Sequence, residues 1–115
     1  MIGEDSILSI VDQYDRNGWT LRRVLLSAEL QTRLGPAFST RLGGAEIRSS
    51  DIDAGWFSRA SRDDSVAWEL RWFSEFPFAL VEVISDEAEP NEVERILRET
   101  EDRLRERLKT RAQGH

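Results

Sequence analysis

Apolar residues near the start of the chain fall at Ile7, Ile10, Val11 and Tyr14, the i, i+3, i+4, i+7 spacing of one helix face. Asp5 or Ser6 is placed to cap that helix, and Asn17-Gly18 supplies a left-handed stop. The next run, Trp19 to Leu26, reads as a strand, but its apolar parity shifts across Arg22-Arg23, from positions 19 and 21 to 24 and 26. A bulge accounts for the shift, and so would a helix over the same stretch. Ser27 to Leu34 predicts two helical turns, with Leu30 and Leu34 on one face and Gly35-Pro36 as terminator. Ala37 to Gly44 reads as a loop pinned by Phe38, and Ala45 to Ser49 as a short strand.

The clearest period-two signal runs from Gly55 to Ile84. Trp56 to Arg59 is one strand, Ser61 to Asp64 a polar turn, Val66 to Phe73 an alternating strand, and Ser74 to Pro77 a turn into Phe78 to Ile84. Placing Trp72 opposite Ala79, and so Trp68 opposite Val83, makes one face wholly apolar: Val66, Trp68, Leu70, Trp72, Ala79, Val81 and Val83. The other face then mixes Phe73, Phe78, Leu80 and Ile84 with Ala67, Glu69, Arg71 and Glu82. Glu69 faces Glu82 in that register, with Arg71 diagonal to offset the repulsion.

Downstream, Val93, Leu97, Thr100, Leu104 and Leu108 form a helical stripe, with Asn91 and Glu94 as a capping box. Glu94–Arg98, Glu99–Arg103 and Glu101–Arg105 have the favourable i, i+4 order. The stripe covers about four turns, short for a coiled coil, so it is expected to pack on the sheet. The expected fold is therefore α+β: an antiparallel sheet of about four strands with a helix near each chain end packed against it. At 115 residues this is one domain, 1–115, with residues 110–115 as a flexible tail.

Composition narrows the chemistry. The chain has no Cys, which removes disulfides, thiolate metal sites and thiol nucleophiles, and makes a reducing cytoplasmic location the expectation. Met1 to Asp5 brings two acids before any apolar run, so no signal peptide is expected, and no apolar stretch approaches a membrane span. Net charge is −6, which disfavours nucleic acid as a partner. The cations are fifteen Arg and one Lys, a bias that genomic base composition accounts for, with the fork-shaped contacts of Arg as the lesser, functional reading.

Few residues invite catalysis. The sole His is His115, the last residue, where neither a fixed position nor an orienting partner is expected. Asp51 and Asp53 lie two apart and could join Glu69 and Glu82 as a cation site or acid/base pair, but they fit a turn before the Trp56 strand better. Gly35-Pro36 and Gly43-Gly44 are turn residues, too sparse for a phosphate cradle. Nothing in the chain calls for a cofactor or a metal. Trp56, Phe57, Trp68, Trp72, Phe73, Phe76 and Phe78 beside Arg59, Arg62 and Arg71 are the ingredients of a single-strand nucleic-acid platform. Alternation assigns Trp68 and Trp72 to a helix-covered face, and Glu69, Glu82, Asp63 and Asp64 oppose phosphate.

A small sheet between terminal helices resembles, in topology alone, the α+β architecture of some secretion chaperones. No motif accompanies the resemblance, and it carries no residue assignments. The function these features favour is a non-catalytic protein-binding module, adaptor or chaperone-like subunit that binds a protein partner or self-associates. Its expected surface is Trp56, Arg71, Phe73, Phe78, Leu80 and Glu82, an apolar centre with a charged rim. A cover built from Leu30, Leu34 and Phe38 is the competing use of that face. A small enzyme using Asp, Glu and Arg, or a nucleic-acid-binding domain, are the alternatives.

Overall fold

The computed structural model describes residues 2–113. The first apolar stripe forms helix α1 (Glu4–Arg16), which buries Ile7 and Ile10. Gly3, rather than Asp5 or Ser6, occupies the N-cap and supplies no side-chain bond; the two acids of the first turn favour the positive end of the helix dipole instead. Asn17 ends the helix and Gly18 takes φ 86°, the left-handed step expected there.

Strand β1 (Thr20–Leu26) follows, and its pairing register shifts between Leu21 and Arg23. The change of parity at Arg22 is therefore a bulge, not a helix. Ser27 caps α2 (Ala28–Leu34), its hydroxyl accepting from the Leu30 N–H at 3.2 Å. Residues 37–44, expected as a loop, include most of a 3₁₀ helix, Pro36–Leu42, anchored by buried Phe38 and Leu42. Strand β2 (Glu46–Ser49) then pairs parallel to β1.

Strands β3 (Ala54–Ala60), β4 (Ser65–Trp72) and β5 (Ala79–Ser85) complete an antiparallel meander next to β1. The sheet has five strands in the order β2-β1-β3-β4-β5, one more than expected, and is mixed because of the β1–β2 pair. Helix α3 (Pro90–Gln113) packs across one face. It continues through residues 110–113, where a flexible tail was expected, while His115 lies outside the described residues.

The β4–β5 register differs by one residue from the expected one. Arg71 pairs with Ala79, Leu70 with Leu80 and Trp68 with Glu82. Because side chains alternate, this slip exchanges the two faces of β5. Glu82 interrupts the Leu80 and Ile84 side of β5 while Ala79, Val81 and Val83 make the other side wholly apolar, so pattern alone does not choose the side that is buried. Packing does: Phe78, Leu80 and Ile84 join Trp68, Leu70 and Trp72 beneath α3, while the smaller Ala79, Val81 and Val83 face the other way. The larger set buries more apolar area, which favours the observed register.

Two cores result. On one face α3 brings Leu97 and Leu104 onto Leu25, Ala54, Trp56, Leu70 and Ile84. On the other, Ile7, Ile10, Leu30, Phe38 and Leu42 cover Val24, Leu26 and Phe73. The three expected i, i+4 pairs of α3 do not form; Arg95–Glu99 and Asp102–Arg105 pair locally instead, and three residues take long-range partners. Glu94 takes Arg23 at 2.7 Å, Arg103 takes Glu82, and Arg105 takes Asp51 at 2.7 Å. Arg23, 9% exposed, also reaches Glu46 at 3.2 Å and so ties β1 and β2 to α3. Among the described residues no helix is long and apolar enough to cross a membrane.

Candidate functional site

The six residues expected to form one surface divide between the two faces. Trp56, Phe78, Leu80 and Glu82 lie on the α3 side; Arg71 and Phe73 lie on the α1 side. Trp56 is fully buried, its indole N–H donating to Glu101 of α3 at 2.8 Å and its ring meeting Trp68 edge-on at 6.1 Å. Phe73 is buried too, under α1, α2 and the 3₁₀ helix, so residues 27–44 do supply its cover. Arg71 turns its guanidinium onto the carbonyls of Trp72 and Ser74, bracing the β4–β5 turn.

The candidate acids do not converge. Asp51 accepts from Arg105, a bond that holds its carboxyl below the usual range. Asp53 accepts from the Ser27 N–H at 2.7 Å and so fixes the start of α2. Glu69 accepts from the Tyr14 hydroxyl, on the face opposite Glu82; burial, then that bond, pushes the Tyr14 phenol up. Among the described residues no cluster of three or more acids or His could hold a metal ion. Each of these carboxylates orders a junction between elements.

Two features of the β4–β5 hairpin remain open. The first is β5 itself, the last strand of the sheet. The Trp72 N–H bonds the Phe78 carbonyl at 3.0 Å and the Asp86 N–H bonds the Asp64 carbonyl at 2.9 Å, which fixes the phase of the ladder. Even-numbered residues of β5 turn their backbone groups toward β4. Ala79, Val81, Val83 and Ser85 turn theirs outward, to an edge with no further strand among the described residues. The same Val81 and Val83 expose 54% and 61% of their surface on the face that α1 leaves bare. The strand has no Pro, Lys or bulge, and its one charge, Glu82, is engaged by Arg103 of α3. By contrast the other edge, β2, has four residues, and Glu46 and Arg48 form an ion pair along it.

The second feature is a groove of about 680 Å³ between the hairpin and the far half of α3, lined by Trp72, Phe76, Phe78, Arg107, Leu108 and Arg111. Arg111 lies 4.0 Å from the centroid of the Phe76 ring and 6.0 Å from that of Trp72; Arg107 lies 5.3 Å from that of Phe78. These arginines and the exposed valines were not among the expected surface residues. The four-residue spacing of Arg103, Arg107 and Arg111 was a signal for the groove, whereas the valines depended on a register that the pattern places one residue away.

No family model matches the chain, and no curated protein or solved structure matches it.

Proposed function

We propose that this protein is a non-catalytic protein-binding module that works as a homodimer, two copies pairing antiparallel along β5. The observation that carries this reading is the character of that strand. Ala79-Leu80-Val81-Glu82-Val83-Ile84-Ser85 is nearly palindromic about Glu82, and it sits at an open edge with its outward backbone groups unused by the sheet.

A two-fold axis through Glu82 sets Val81 against Val83 of the second copy, and Val83 against its Val81. The pairing is isologous, so each edge satisfies the other, and it joins two five-stranded sheets into one. On the bare face the exposed valines of the two copies become a single apolar cluster. On the α3 face Leu80 lies opposite Ile84 of the second copy. A foreign strand would complete the hydrogen bonds equally well, but nothing would match valine to valine on both sides of a central point. The engaged carboxylates support a binding role over catalysis, since each is already committed to a structural bond.

Light scattering across a protein dilution series, on wild type and on Val83→Lys, tests the proposal. Val83 is exposed, so the substitution should leave a folded chain. A wild-type dimer that becomes a folded monomer supports pairing along β5. A wild type that stays monomeric to near-millimolar concentration overturns it, as does a dimer that Val83→Lys leaves unchanged.

A further inference from the structure

We infer that the groove between α3 and the β4–β5 hairpin binds an acidic peptide segment carrying an aromatic side chain next to its carboxylates. The groove is on the α3 side of the hairpin and the exposed valines are on the opposite side, so this site is separate from the pairing edge.

Acids outnumber bases in this chain by 22 to 16, yet Arg107 and Arg111 make no ion pair among the described residues. Glu106 is paired with Lys109 at 3.7 Å and Glu82 with Arg103, and neither takes Arg107 or Arg111. Arg103, Arg107 and Arg111 repeat every four residues and form one stripe of α3 above an aromatic row. Glu82 neutralises the first; the other two are free to take an anion.

Shape and surface specify the ligand further. A guanidinium held against a ring keeps its N–H fork in its own plane, available for bidentate bonds to a carboxylate. Phe76 is 46% exposed, leaving ring surface for a flat apolar group beside those forks. The volume suits a small ligand fragment rather than a folded partner. A nucleic-acid strand fits less well, because phosphate binding gains from several cations in a row and the chain carries −6 overall.

The probe is a short amidated peptide with one phenylalanine between two aspartates, titrated while the amide and indole resonances of Trp72 and the Phe76 ring signals are followed by NMR. Shifts centred on Trp72, Phe76 and Phe78 are expected. Affinity should fall about tenfold or more when both aspartates are replaced by asparagine, and again in Arg107→Gln/Arg111→Gln, whose melting should match wild type. An otherwise neutral peptide ending in phenylalanine with a free carboxylate tests whether a chain terminus supplies the anion; binding by either acid peptide supports the site. Equal responses to the aspartate and asparagine peptides, no response to either acid peptide, or tighter binding of an oligothymidine strand than of both would overturn it.

Discussion

The indole N–H of Trp56, in the centre of β3, donates to the Glu101 carboxylate of α3 at 2.8 Å, making a polar bond inside an otherwise apolar contact. It explains why Glu101 does not pair with Arg105 along the helix. A buried donor left without a partner costs more than an exposed i, i+4 pair contributes. Glu101→Ala should therefore lower stability by about 1–3 kcal/mol, whereas Trp56→Phe/Glu101→Ala should lose less than the sum of the single changes. Urea unfolding of the four proteins measures the coupling, and strict additivity would show the bond contributes nothing.

Gly55 is required by a neighbour rather than by its own backbone. A Cβ placed there would come within 2.8 Å of the Phe73 ring tip and 3.1 Å of the Phe57 ring. Both rings are buried, so neither can swing aside cheaply. Gly55→Ala should destabilise by about 1–3 kcal/mol, and Gly55→Ala/Phe73→Leu should recover part of that loss in thermal melts.

The Arg23–Glu94 junction predicts an acid sensitivity. Chiefly through its bond from Arg23, the Glu94 carboxyl sits below its ordinary value of 4.5, against the opposing effect of burial. A carboxyl whose folded pKa is depressed stabilises the fold above its unfolded pKa, and that stability is lost as pH falls through the folded value. Stability of wild type should therefore decline as pH drops below about 4.5, and Glu94→Gln should flatten the decline. Denaturant midpoints at stepped pH for both proteins check this; parallel curves would place the acid sensitivity elsewhere, with Glu46 the next residue to examine, since its bond from Arg48 lowers it too.

How legible was this in the sequence? Helical stripes were read almost to the residue, because Ile7, Ile10, Leu97, Thr100 and Leu104 each had only one way to bury their side of a helix. The parity change at Arg22 was visible too, as a bulge or a helix, since it is a local feature. What failed was nonlocal. The side of β5 without a charge is Ala79, Val81 and Val83, so pattern favours burying it; the register was settled instead by relative side-chain size and by the partner Arg103 offers Glu82. Phe73 leaves the β4–β5 ladder and bonds through its N–H to the Asp53 carbonyl at 2.8 Å, and its ring enters the opposite core. The expected interaction surface inherited that one-residue error. Its buried members belong to the cores, and the open positions are Val81, Val83 and the groove arginines.

The proposed dimer places Glu82 on the two-fold axis, where it would face its own copy in a non-hydrogen-bonded position, the closer kind of cross-strand neighbour. Like charges directly opposite oppose pairing, and the Arg103 guanidinium bonded to each Glu82 offsets them only in part. Glu82→Gln should thus tighten the dimer by roughly 0.2–1 kcal/mol, and added salt should strengthen wild type more than the variant. Arg103→Gln should weaken the dimer, because it leaves both carboxylates uncompensated. An axis through Val81 would instead set Leu80 against Glu82 of the second copy and remove the close carboxylate contact. Sedimentation equilibrium on wild type, Glu82→Gln and Arg103→Gln at low and high salt distinguishes the two registers. A dimer constant that ignores both substitutions and salt would move the axis off Glu82.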